Sequence, residues 1–211
     1  MNDANSPNDG WDWEQFFQRI HATLDLAEAA QDPPEALTLC EHVLKLLWEA
    51  RERVRAPNGL MLHAHARALM HRGNATLCGP GGDPFAAIKD FDLAINILIT
   101  LAESPGCPPA WRVALASAFT CRGRAKAITS GHGPLAAIRD HDEAIHILSA
   151  LVTEHGDDCP PDWRNSLADV FMERGSAKRD APGHGPLAAP EDWNEATRIR
   201  DALTRGDRPP L

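Results

Sequence analysis

Apolar residues recur along most of the chain at spacings of three and four, the period of a helix face. Trp13, Phe16, Phe17, Ile20, Leu24 and Ala27 form a first stripe, and Leu37, Cys40, Val43, Leu44 and Leu47 form a second after Pro33-Pro34. Farther on, Trp111, Leu115, Ala118, Phe119 and Arg122 mark one helix. Ala137, Ile138, His141, Ala144, Ile145, Leu148 and Leu151 mark the next, with a stripe wide enough to bury. No segment shows the period of two that a strand requires, so the pattern predicts an all-α chain. Prolines stand where helices can begin, at Pro84, Pro109, Pro134, Pro161 and Pro186. A first-turn residue has no intrahelical amide bond to lose. Glycine-rich segments fall between the two helices of each pair.

The helix pairs repeat. Pro109-Ala110-Trp111-Arg112 returns as Pro161-Asp162-Trp163-Arg164, and the run from Gly131 to Ala137 returns from Gly183 to Ala189, both at an offset of 52. The run from Ala86 to Ile95 aligns with that from Ala136 to Ile145 at an offset of 50. Arg-Gly marks the same place in three units, at Arg72-Gly73, Arg122-Gly123 and Arg174-Gly175. Self-similarity at such a period is the signature of a helical array in which each unit buries its apolar face against its neighbours. The sequence therefore predicts eight helices in four hairpins, within one domain over 12–205. The units fall at about 12–56, 57–106, 107–157 and 158–205, with flexible tails at 1–11 and 206–211.

Ala-Ile-x-Asp-Phe-Asp-x-Ala-Ile at 87–95 and Ala-Ile-x-Asp-His-Asp-x-Ala-Ile at 137–145 resemble the second helix of a tetratricopeptide repeat. Leu115-Ala116, Ala118-Phe119 and Gly123 are similar to that family's first-helix positions. Leu167-Ala168, Phe171, Gly175, Ala189, Trp193 and Ala196 take the corresponding places in the last unit. The resemblance covers residues 58 to about 200 well and 12–57 loosely. It implies a right-handed α-solenoid that acts as a protein–protein interaction module, an adaptor, chaperone-like holder or assembly factor. Its peptide or protein partner would lie in a concave groove lined by the first helices.

On the geometry the resemblance implies, the groove positions are His63, Arg67, Met70 and His71 in the second unit, and Val113, Ser117, Thr120 and Arg124 in the third. Asp162, Asn165, Asp169 and Glu173 follow in the fourth. The charge then runs from basic through neutral to acidic, which favours a peptide of opposite polarity and sets its direction. The Lys and Asn clamp that some family members close on a C-terminal carboxylate is not reproduced. Unit length departs too, at 50 to 52 residues against about 34 in the family. The excess lies between Gly123 and Ala137. The helix formers Arg124-Ala125-Lys126-Ala127 predict a first helix that runs on to about Ile128. A glycine inside a helix costs about 1 kcal/mol relative to alanine, so close packing against a neighbour is expected to retain Gly123.

Composition narrows the function. Over 211 residues the net charge is −9, which argues against a nucleic-acid partner. No apolar run approaches the roughly 18–20 residues of a membrane span. Met1 to Gly10 lack the apolar segment of a signal peptide, which predicts a cytoplasmic location. Five cysteines with no CxxC pair suggest reduced thiols, and Cys107 and Cys159 lie a repeat apart, too far to bridge.

Ten histidines raise a metal site. His63 and His65 diverge on a helix, however, and His141 and His146 have a poor chelating spacing. His141 takes the slot of Phe91 and Trp193, which predicts a core residue, while His132 and His184 fall in glycine loops as exposed or capping residues. The loops before Pro84 and Pro134 lack the Lys-Ser/Thr of a phosphate-binding loop and read as turns. Trp48, Trp111, Trp163 and Trp193 are expected in the core, and Trp11 as a docking residue. No catalytic motif is present, so the expectation is no enzyme, no cofactor and no metal. A self-associating homodimer and a small-ligand sensor are the alternatives. In the last unit, Pro190 within the second helix and the polar Arg198, Arg200 and Asp201 suggest a solvent-facing cap.

Overall fold

Local chemistry starts each helix. Asp12 accepts the Gln15 amide at the head of α1 (Trp13–Ala29), and Asn58 accepts the Met61 amide at the head of α3 (Gly59–Cys78). The Asp83 carboxylate takes the Phe85 and Ala86 amides where α4 (Pro84–Ala102) begins. Side-chain oxygens here satisfy amides that the first turn leaves unpaired. Prolines do the rest, in the first turns of α2 (Pro33–Arg51), α5 (Pro109–Ala127), α6 (Gly133–His155), α7 (Pro161–Asp180) and α8 (Pro190–Arg205). The computed structural model describes residues 11–54, 57–182 and 189–205, and among them the only other helix is a 3-10 turn at Gly156–Asp158. No strand occurs among the described residues.

The chain forms two compact units, Met1–Leu101 and Ala102–Leu211, where the sequence suggests one domain over 12–205. In the first unit α1 packs on α2 and α3, and α2 on α3. Their shared core is Phe16, Ile20, Leu24, Val43, Leu47 and Met61, with Ala64 and Ala68 where the helices approach closely. In the second unit α6 packs on α5 and α7, α7 on α8, and the two first helices α5 and α7 also touch. Leu148, Leu151, Val152, Leu167 and Ile199 fill that core, with Ala116, Ala144, Ala168 and Ala196 at the contacts. Full burial of each leucine contributes about 1.5–3 kcal/mol.

Most of the predicted helices appear where periodicity puts them. The first helix of the third hairpin continues past Gly123 to Ala127, with Ile128 as its cap. Two expectations need correction. Trp48 is 65% exposed, because it falls one position off the buried row Val43, Leu47 and Ala50. The last helix begins at Pro190, so that proline opens α8 instead of interrupting it. Pro186, His184 and residues 1–10 and 206–211 of the expected tails lie outside the described residues, while Trp11, the last residue of the expected 1–11 tail, is among them.

Candidate functional site

The helix faces that can meet a partner are set by a brace repeated in three hairpins. Arg72 grips the buried Asp90 with two hydrogen bonds of 2.8 and 2.6 Å. Arg122 grips Asp140 at 2.9 and 2.7 Å, and Arg174 grips Asp192 at 3.0 and 2.6 Å. The two residues are 18 apart each time. Lys126 adds a contact of 2.9 Å to Asp140 and Lys178 one of 3.0 Å to Asp192. A paired, fully bonded buried carboxylate is tolerable where an isolated one is not. Burial alone would raise the Asp192 carboxyl, but hydrogen bonds from Arg174 and Lys178 hold it below its ordinary range.

Beside each arginine is a glycine, and beside each aspartate a ring. A Cβ on Gly73 would lie 2.8 Å from Phe91, on Gly123 2.7 Å from His141, and on Gly175 2.5 Å from Trp193. Close approach of ring to backbone therefore retains the glycines, and His141 is a core residue. The aspartates are what a reading of the sequence misses. The signal is present, since an aspartate follows each Arg-Gly at the same interval.

With the ring side of α5 and α7 committed to the brace, the opposite sides face each other across a cleft of about 420 Å³ in the second unit. Ser117, Thr120, Cys121 and Arg124, one face of α5, form one wall. Ser166, Asp169 and Glu173 of α7 form the other, over a floor that includes Leu148, Val170 and Met172. Five expected groove positions thus converge: Ser117, Thr120, Arg124, Asp169 and Glu173. Val113 is half-buried and packs on the unit's core, while Asp162 and Asn165 are exposed on α7 away from the cleft lining. Asp169 does not stand alone, for Arg200 of α8 donates to it at 2.5 Å and joins the cleft. The Arg124 guanidinium lies 3.6 Å from the Cys121 sulfur.

The expected positions in the first unit have a different fate. His63, Arg67, Met70 and His71 are all half-buried on α3. Arg67 donates to Asp25 at 3.0 Å and to Glu28 at 3.4 Å on α1, with His21 Nδ1 also 3.4 Å away. His71 Nε2 is 3.8 Å from the same Glu28. Burial, with Arg67 and His21 nearby, pushes His63 down to about 4. The basic face expected of this unit is therefore largely neutralised by α1, whose Asp25 and Glu28 lie one turn apart.

Trp11, expected as a docking residue, is half-buried at the head of α1. It packs 5.9 Å from Trp13 and 5.7 Å from Phe16, under the Arg53 guanidinium at 4.4 Å. With Phe16, Arg19 and Leu46 it borders a second cleft of about 790 Å³. None of the five cysteines forms a disulfide, and burial pushes the Cys40 thiol up to about 11. Among the described residues no group of three or more His, Cys, Asp or Glu side chains is placed to hold a metal, and no helix is long and apolar enough to cross a membrane.

The class these features define is an all-α architecture of helical hairpins with a repeated internal brace. No protein-family model matches the chain, and no curated protein matches it.

Proposed function

We propose that the chain is a protein–protein interaction module without catalytic activity, an adaptor, chaperone-like holder or assembly factor of the cytoplasm. Its hairpins are of the tetratricopeptide kind and stack within each unit in the manner of a right-handed α-solenoid. The partner is a peptide or protein segment held between α5 and α7. The observation that carries this reading is the convergence of five face positions, from the first helices of two successive hairpins, on one cleft. Its floor takes small apolar or hydroxyl side chains. Arg124 on one wall favours an acidic residue, and Glu173 on the other a basic one, which gives the bound segment a direction.

The test is selection of binders from a random peptide display library, followed by anisotropy titration of the enriched peptides. Glu173→Lys and Arg124→Glu should each weaken binding about tenfold, equivalent to about 1.4 kcal/mol, with unchanged helical circular dichroism. Enrichment of nothing over a Ser117→Trp control chain, or wild-type affinity in both charge variants, would sink the reading.

A further inference from the structure

The third hairpin breaks a pattern that the second and fourth keep. In each, a ring lies over a helical glycine, but Phe91 and Trp193 cannot take up a proton and His141 can. His141 is 1% exposed, and its Nδ1 is buried with no hydrogen-bond partner among the described residues. The ring is pressed on the α5 backbone so closely that a Cβ on Gly123 would lie 3.0 Å from each ring nitrogen. Water has no room to follow a charge into that slot, and an unsolvated buried charge is costly.

The charges around it do not compensate. Asp140 and Asp142 face His141 from α6, Arg124 from α5 and Arg174 from α7. Asp140 is already held by Arg122 and Lys126, and Asp142 by Arg174 at 2.7 Å. Both carboxylates are thus matched, and Arg174 is shared with Asp192, while Arg124 adds a further cation near the ring. An imidazolium here would add a positive charge beside acids that are already neutralised.

We propose that the α5/α6 hairpin is an acid-sensitive latch: protonation of His141 cannot be accommodated in its slot, so mild acidification favours the opening of α5 from α6. Burial, opposed in part by Asp140, holds the imidazole down from 6.5 to about 4. The neutral form is the one that folds. Stability from this site is therefore complete above pH 6.5 and is lost as the pH falls toward 4. Between pH 7 and pH 5 the opening equilibrium shifts about twentyfold on these values.

Hydrogen exchange on the full chain at both pH values, expressed as protection factors, reads the latch directly. Amides of α5 and α6 should lose about twentyfold protection in the wild type, and less than about threefold in His141→Phe, which supplies the ring of the second hairpin. His141→Trp, with the ring of the fourth, serves if the phenylalanine variant fails to fold. NMR titration of the His141 Cε1 proton in the wild type should show a midpoint below pH 5. The proposal is overturned by a folded variant that retains the whole pH-dependent loss, or by a His141 midpoint near the ordinary histidine value.

Discussion

The seam between α1 and α3 and the seam between α5 and α7 join the same parts of successive hairpins, yet one is closed and the other open. In the first unit a long cation, Arg67, reaches across and finds Asp25 and Glu28. Fifty residues later the same place on the helix holds Ser117, too short to bridge, and a cleft remains. Two residues beyond the next fifty it holds Asp169, which turns to Arg200 on its own hairpin partner. An Arg–Asp brace stands behind all three positions, with an added lysine in the second unit. Which seam opens is thus decided by side-chain length and charge on the outer face.

The comparison fails if the brace is not common structure, so the largest expected effect lies there. Asp140→Ala leaves Arg122 and Lys126 half-buried without their carboxylate, which should cost about 3–5 kcal/mol. Thermal melting followed by circular dichroism should show the second unit unfolding well before the first. An unchanged melting curve would mean that the repeated grip adds nothing.

Opening the closed seam is a smaller matter. Arg67→Ala removes a guanidinium whose side chain is 22% exposed but whose acids are mostly in water, at 68% and 65%. About 0.5–1 kcal/mol should be lost, as for an exposed pair. The loss should shrink at 1 M salt, where screening acts over about 3 Å. A salt-independent difference between the two chains would show that Arg67 acts through packing of its stem.

Closing the open seam should move stability least. Ser117→Arg places the first unit's cation at the equivalent point of the second, opposite Asp169 and Glu173. Stability should stay within about 0.5 kcal/mol by chemical denaturation. Peptides selected on the wild-type cleft should no longer bind.

Much of this was open to reading from the sequence because helices, hairpins and the glycine contacts obey short-range rules. Three-and-four spacing marks the faces, and the Phe91, His141 and Trp193 alignment identifies a slot in which a histidine must be core. The extension of α5 follows from helix propensity alone. What escaped depends on distance along the chain. Arg67 meets acids 39 and 42 residues away, and Arg200 meets one 31 residues away. No local period relates such residues, and helix tilt decides whether they meet. Trp48 shows the same limit within one helix, where a single step off the stripe turns a large ring outward. For α8, the repeat pointed to Pro186 as the start with Pro190 inside the helix, whereas the helix begins at Pro190, a first-turn position that proline also suits.

The 18-residue span of the brace also has a kinetic consequence. Closing a chain loop costs entropy that grows with the logarithm of its length. A brace therefore forms at about 0.7 kcal/mol less loop entropy than a contact spanning 42 residues, such as Arg67 to Asp25. Each arginine can find its aspartate while the neighbouring hairpin is still unstructured. Hairpins then become the units that zip first, and the seams between them, including the one that forms the cleft, are settled last.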